Sequence, residues 1–205
     1  MNQHVDIYFI RHSEPLIEAG TCYGQLDCDV NADYENQLAK VNHYFQDIEI
    51  DAIYSSPLQR CAKLAEDIAE SQGDVSVNYL DSLKEIHFGD WEGVKWDDIP
   101  RASIDEWNNN RLHFKFPNGE SPWEFIQRVL KAYSTLQGDS RYSQTGSNTL
   151  LVVTHAGVIR TLLASILSLT FAQSLNISLD KPSICHCSFN NDELESYVLN
   201  LTLSD

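Results

Sequence analysis

At 205 residues, with 42% hydrophobic side chains and four tryptophans, the chain has the size of one ordinary domain and the apolar mass for a substantial core. Its formal net charge of −16 excludes nonspecific nucleic-acid binding, because nothing would neutralise a phosphate backbone. Any anionic substrate must be held by a local cationic pocket, which screening to ~8–10 Å at physiological salt permits.

The first strand is expected over residues 5–10, where Ile7-Tyr8-Phe9-Ile10 is followed at once by Arg11-His12-Ser13. A buried strand that ends this way delivers a guanidinium and an imidazole to the carboxyl edge of a sheet, where open α/β sheets bind ligands. Histidine serves as nucleophile or base and an adjacent guanidinium recognises phosphate, yet the dipeptide alone fits a structural role equally well. A second strand over 52–54 leads into Ser55-Ser56-Pro57. Beyond it Leu58, Cys61, Leu64, Ala65, Ile68 and Ala69 keep helical spacing as far as Gly73, which puts Arg60 in a first helical turn.

A third strand over 75–79 precedes Leu83-Lys84-Glu85. Residues from about 90 to 120, rich in Trp, Asp, Asn and Arg, break the alternation and are expected as an inserted cap over the sheet edge, of the kind that shapes substrate pockets. Ser121-Pro122-Trp123-Glu124 has the form of a capping box with proline at the first helical position. A helix should therefore run from about 122 to 137 and stop at Gly138, with the polar stretch 138–148 as a surface loop.

The fourth strand, over 150–154, ends in Thr154-His155-Ala156-Gly157, and a helix follows with Val158, Leu162, Ile166 and Leu169 on one face. Free N–H groups and the positive dipole end of such a helix start suit an anion. Two last strands, over 184–189 and 195–201, are joined by Asn190-Asn191-Asp192-Glu193 and form an antiparallel hairpin at one edge. Strands alternating with helices predict a three-layer α/β/α sandwich with a mostly parallel central sheet, an antiparallel edge strand and a small inserted cap, in a single domain over 1–205.

The five cysteines, Cys22, Cys28, Cys61, Cys185 and Cys187, fit neither a zinc site nor a secreted disulfide framework. Cys185 and Cys187 flank His186, but residues two apart in a strand share a face while the one between points away, so a core strand is expected rather than a metal site. The amino terminus has no positively charged region followed by an apolar one, and the apolar stretch 158–169 is too short to span a bilayer. A soluble cytoplasmic protein without a membrane partner is expected.

Arg11, His12, Arg60 and His155 thus converge on one sheet edge beside a helix start, an arrangement that stabilises charge on the oxygens of a transferring phosphoryl group. Neighbouring cations disfavour protonation of a histidine and keep it nucleophilic. Taken singly, Arg60 reads as a snorkelling surface side chain and His155 as a structural histidine. Trp91, Trp96 and Trp107 suit either stacking on a flat base or a core for the cap itself. Arg101, Arg111 and Lys115 suit either extra substrate charge or solvated surface, and Gly24 allows the Tyr23-Gly24 turn a close approach to phosphate.

Arg11-His12-Ser13-Glu14, Ser55-Ser56-Pro57-Leu58-Gln59-Arg60, Glu85 with Phe88-Gly89-Asp90-Trp91-Glu92-Gly93, Gly119-Glu120-Ser121 and Thr154-His155-Ala156-Gly157 together resemble the histidine phosphatase superfamily, also called phosphoglycerate-mutase-like. The likeness runs in order from residue 5 to about 165. Residues 20–27, Cys61 and the block 88–92 are most similar to the α-ribazole-5′-phosphate phosphatases of cobalamin assembly. The resemblance implies that His12 attacks phosphorus and becomes phosphohistidine. Arg11, Arg60 and His155 would hold the phosphoryl oxygens, with Tyr23, Gly24 and Ala156 beside them. Glu85 would protonate the leaving alkoxide and then act as base toward water. It implies a small phosphorylated metabolite as partner and no metal or cofactor, since arginines supply the positive charge; the oligomeric state stays open.

The chain departs from the family pattern at Ser13, at Glu18 (where many members carry a phosphate-binding asparagine) and over Asp27-Cys28-Asp29-Val30-Asn31-Ala32-Asp33-Tyr34. A carboxylate would repel phosphate, so Glu18 is expected to point away. Other readings are a phosphatase of another small metabolite, a phosphoglycerate mutase, or a catalytically silent phosphate-binding module. The end of the chain directly after its last strand favours hydrolysis over mutase chemistry, and retention of both histidines, both arginines and Glu85 argues against a silent module.

Overall fold

The computed structural model describes residues 4–138, 147–201 and 203. Strands β1 (His4–Arg11), β2 (Ala52–Ser55), β3 (Val77–Tyr79), β4 (Ser147–Thr154), β5 (Ser183–Asn190) and β6 (Glu193–Leu201) form one sheet in the order β3-β2-β4-β1-β5-β6. The pairs β1–β4, β4–β2 and β2–β3 are parallel, whereas β5 is antiparallel to both β1 and β6. A mostly parallel sheet with an antiparallel edge, as the alternation of elements predicts, is therefore the observed architecture.

Helices α1 (Tyr34–Phe45) and α2 (Gln59–Ser71) cover one face of this sheet, while α4 (Pro122–Gln137) and α5 (Ala156–Ile166) cover the other. The two-residue period of a strand divides the core between them. Tyr8, Ile10, Ile53, Leu151 and Val153 pack with Val41, Phe45, Leu64 and Ile68. Ile7, Phe9, Tyr54, Leu150 and Val152 pack with Phe125, Val129, Leu136 and Leu162. Burial on both faces is why the central strands read as unbroken apolar runs.

Cys185 and Cys187 are both buried, and His186 between them turns to the opposite face, where it stacks on Tyr8 and hydrogen-bonds Asp6 at 2.6 Å. The strand reading of these cysteines is correct. Two short 3₁₀ turns (Gly89–Trp91 and Trp96–Asp98) and α3 (Arg101–Asn109) build the cap. Its own small core holds Cys22, Trp91, Ile99, Phe114 and Phe116, with Trp96 and Trp107 packed against it. Backbone bonds from Cys22 to Val94 (2.8 Å) and from Gly93 to Cys22 (2.9 Å) tie the cap to the loop after β1.

Several elements differ from the sequence expectation. Helix α1 was not anticipated: Asp33 gives its first turn no side-chain cap, and the polar Gln37 occupies a buried slot. Strand β3 begins at Val77 rather than 75, where pairing with Ile53 of β2 starts. Helices α3 and α6 (Phe171–Ser174) were also unanticipated, and α3 buries no residue fully, so it carries little periodic signal. Residues 139–146 of the expected surface loop lie outside the described residues, and Ser147 and Asn148 belong to β4. Among the described residues no helix is long and apolar enough to cross a membrane.

Helix α4 spans the expected residues, and its capping box is complete: the Ser121 hydroxyl accepts from Glu124 N–H at 3.2 Å and the Glu124 carboxylate accepts from Ser121 N–H at 2.7 Å. Replacing Ser121 by Ala is expected to lower stability by about 1 kcal/mol, read as an earlier midpoint in urea unfolding. An unchanged midpoint would show that the box adds nothing to the stability of this helix.

Candidate active site

Parallel register sets the site. Arg11 pairs with Thr154 and Ser55 with Val153, so β1, β4 and β2 end level and release His12, His155 and Ser56 at the same edge. Backbone bonds from His12 to Thr154 (2.9 Å) and from Ser56 to Val153 (3.0 Å) carry the ladder one residue further and fix these positions. Because β5 runs the other way, the segment leading into it arrives at this edge too, and the Leu179 carbonyl accepts from Arg11 Nη1.

A cavity of about 360 Å³ opens there, lined by Arg11, His12, Tyr23, Arg60, Glu85 and Ala156 among others. Six of the eight sequence-derived site residues therefore share one space. His155 is wholly buried and does not line it; its ring lies 5.1 Å from that of His12, and its Nε2 is 2.8 Å from the Ser56 hydroxyl. Gly24 does not line it either. Its role is contact with the scaffold: a Cβ there would meet the Ile86 carbonyl oxygen at 1.8 Å, and its own carbonyl accepts from Arg60 Nη2 at 2.6 Å. The expected close approach is thus to backbone and not to the cavity.

Arg60 is completely buried, with Nη1 donating to the Leu26 carbonyl at 3.0 Å and its guanidinium 5.4 Å from the Tyr23 ring centre. Neither Arg11 nor Arg60 forms an ion pair among the described residues, and the Nε of each is buried without a partner. Carbonyl oxygens orient these cations without cancelling their charge, which leaves a site suited to an anion.

The His12 Nδ1 lies 2.7 Å from the Ser13 carbonyl. A carbonyl only accepts, so Nδ1 carries the hydrogen. Burial first, then the charges of Arg60 and Arg11, hold the His12 pKa well below its ordinary value. The ring is neutral at physiological pH, with a lone pair on Nε2. Burial and Arg60 depress His155 in the same way. Cys61, 3.5 Å from His155 Nε2, is pushed well up by burial and stays a neutral thiol.

Among the described residues Glu85 is the one carboxylate lining the cavity. Its Oε2 accepts from Gly157 N–H at 3.0 Å, at the start of α5, and a Cβ on Gly157 would stand 2.3 Å from Oε1. Glycine at 157 is what lets the carboxylate rest on the helix end. Glu18 points away, paired with Lys95 outside the cavity. Arg101 pairs with Asp105 and Lys115 with Glu124, both exposed.

A second cavity of about 400 Å³ adjoins the first, with walls that include Phe88, Trp107, Phe116, Phe125, Phe171 and Leu175. Of the three extra cations considered, only Arg111 reaches a cavity, at the border of this apolar one. Trp96 lines the polar cavity and Trp107 the apolar one, so both serve the cap core and a cavity wall.

Two residues escaped sequence reasoning. Arg128 donates to the carbonyls of Ser82 (3.0 Å), Lys84 (2.9 Å) and Glu85 (3.2 Å) and pairs with Glu120, so it holds the segment carrying Glu85. Arg160 lines both cavities. An isolated arginine on a helix gives no signal of either role. Among the described residues no group of three or more His, Cys, Asp or Glu is placed to hold a metal ion.

The two neutral histidines link stability to pH. Unfolded, each takes a proton near 6.5, whereas in the fold each is depressed below that value. The unfolded chain then binds more protons below pH 6.5, so this stability is complete above 6.5 and is lost as the pH falls. Well below that pH, unfolding free energy should drop by up to about 1.4 kcal/mol per pH unit for each histidine, and His155→Gln should remove part of the slope. A variant with the slope of the native protein in urea unfolding would contradict the burial of a neutral His155.

A family model for the histidine phosphatase superfamily (branch 1) matches residues 7–202. The adenosylcobalamin/alpha-ribazole phosphatase of Escherichia coli is 26% identical over 198 residues, covering 95% of each chain. The probable phosphoglycerate mutase GpmB of Erwinia tasmaniensis is 30% identical over 173 residues, covering 80% of this chain and 76% of that one. In structure, a putative alpha-ribazole-5′-P phosphatase from Escherichia coli matches with a TM-score of 0.87 at 22% identity, over 98% of this chain and 97% of that one. With the fold, the paired histidines and the family match in agreement, the chain belongs to the histidine phosphatase superfamily.

Proposed function

We propose that this protein is a phosphomonoesterase that works through a phosphohistidine at His12 and acts on α-ribazole 5′-phosphate. The observation that carries the chemistry is the placement of the His12 ring, buried at the cavity wall beside Arg11 and Arg60. Its Nδ1–H is tied to the Ser13 carbonyl, so the Nε2 lone pair is free beside Arg11 and Arg60.

In the first step Nε2 attacks phosphorus and the P–O bond to the alcohol breaks. Glu85, in its acid form, gives its proton to the departing alkoxide. Arg11 and Arg60 stabilise charge on the phosphoryl oxygens. In the second step water attacks the phosphohistidine, Glu85 takes the proton from water, and the P–N bond breaks to return neutral His12 and free phosphate. Gly157 N–H keeps the Glu85 carboxylate in place through both steps.

The apolar cavity and the name of the relative covering 95% of the chain support the choice of substrate. A flat benzimidazole ring has the shape and polarity to occupy the space between Phe88, Trp107 and Phe125. The mutase-named relative suggests a three-carbon acid instead, but such a molecule would leave that space unfilled.

Incubation with a radiolabelled phosphomonoester followed by rapid quench should trap an acid-labile label on the native protein and none on His12→Ala. Equal label on both would remove His12 as the nucleophile. Glu85→Gln should slow a poor leaving group such as ribose 5-phosphate by about 10²–10⁴ and p-nitrophenyl phosphate far less; equal losses would remove Glu85 as the acid. Among phosphorylated metabolites, α-ribazole 5′-phosphate should give the highest kcat/KM, and a higher value for 3-phosphoglycerate would overturn the substrate.

A further inference from the structure

Among the described residues Arg160 is the only charged one in the wall that the two cavities share, which otherwise consists of Ile86, Phe88 and Gly157. Helix geometry puts it there. Side chains lean toward the amino end of their helix, and residues three or four apart share a face, so Arg160 reaches back over the turn that holds Ala156 and Gly157. Its Nε donates to the Ile177 carbonyl at 3.0 Å, which fixes the plane of the guanidinium. Among the described residues no carboxylate pairs with Arg160, and its two terminal nitrogens make no hydrogen bond.

The direction of the reaction locates what those nitrogens meet. Attacking and leaving groups lie roughly in line through phosphorus, so the ester oxygen departs on the side away from His12. Its proton comes from Glu85, whose carboxylate rests on Gly157 N–H, three residues before Arg160 on the same helix. The atoms just beyond the ester oxygen therefore pass the Arg160 fork before entering the apolar cavity. A guanidinium offers donors only, so it reads acceptor oxygens.

Building on the phosphatase reading, we infer that Arg160 is a specificity-determining residue that binds oxygen atoms of the leaving alcohol and leaves the phosphoryl group to Arg11 and Arg60. The matching substrate class has an oxygen-bearing segment, a sugar ring, between the phosphate and an apolar group. A three-carbon acid engages Arg160 and goes no further; a sugar bearing an apolar ring engages it and also fills the space beyond.

The test reads binding, so it does not depend on turnover. In the His12→Ala protein, calorimetry gives dissociation constants for ribose 5-phosphate, 3-phosphoglycerate and inorganic phosphate, before and after adding Arg160→Met. Binding of ribose 5-phosphate should weaken by about tenfold to a hundredfold, as for a lost charged hydrogen bond, and that of inorganic phosphate by much less. Arg160→Lys, which keeps the charge and loses the fork, should fall between. Equal weakening of ribose 5-phosphate and inorganic phosphate would place Arg160 on the phosphoryl group and overturn the inference. No weakening of either, or no binding of either by the His12→Ala protein, would overturn it as well. A greater loss for 3-phosphoglycerate than for ribose 5-phosphate would overturn the sugar assignment. A melting temperature close to that of His12→Ala excludes unfolding as the cause of weaker binding. Failure of the phosphatase reading shows separately, as native protein that binds phosphate yet releases none from any ester.

Discussion

The site depends on holding two guanidinium groups at the end of a sheet with no carboxylate to neutralise them. Arg60 is fully buried, and its terminal nitrogens are taken up by the carbonyls of Gly24 and Leu26; Arg11 leans on the carbonyl of Leu179. Dipoles of this kind reduce the desolvation penalty of a buried cation but leave its net charge in place. The charge then acts on its neighbours. Together with burial it holds the pKa values of His12 and His155 well below the ordinary imidazole range, so both rings are neutral at physiological pH. It also leaves the buried Nε of each arginine for an anion to satisfy.

Carboxylates in this acidic chain do a different task around the pocket: they collect backbone N–H groups. Glu92 accepts from Gln25 and Phe88, both at 2.9 Å, and so locks the loop beneath Arg60 to the cap. Glu120 accepts from His87 at 2.9 Å and holds Arg128, which in turn grips the carbonyls leading to Glu85. Asp27 accepts from Gln59 at the first turn of α2, the turn that carries Arg60. Negative charge is thus spent on loop geometry close to the site and kept off the arginines themselves. Two glycines complete the fit, since a side chain at 24 would strike the Ile86 backbone and one at 157 would strike Glu85.

What could be read from the sequence follows from how local each signal is. The central strands are legible because both faces are buried, and α4 because its capping box and proline lie within four consecutive residues. His12, Arg60 and His155 are legible because each follows a strand end at short range, and parallel register then brings those ends level. Helix α1 was missed because a buried polar residue, Gln37, spends its side chain on Glu14 N–H at 2.9 Å, a partner 23 positions away. Arg128 and Arg160 give no signal for the same reason: the carbonyls they hold lie more than a dozen residues away, which no spacing rule reaches. Gly24 makes the close approach that a glycine allows, but to the Ile86 backbone, because a sequence shows that a close approach is possible without showing to what.

A net charge of −16 repels the substrate class that this pocket attracts, and the two effects act over different distances. Beyond a Debye length of ~8 Å the global field is screened, so an anion meets it only weakly before it reaches the cavity mouth. Inside, low dielectric strengthens the pull of Arg11 and Arg60 while the acidic surface lies behind protein and solvent. Anion binding is then governed by the few groups that line the cavity, and selectivity falls to the space next to it. There the walls are aromatic and aliphatic, and the charges among them are Arg111 and Arg160. The first cavity is polar and cationic and the second is largely apolar, so an occupant of both would be polar at one end and apolar at the other.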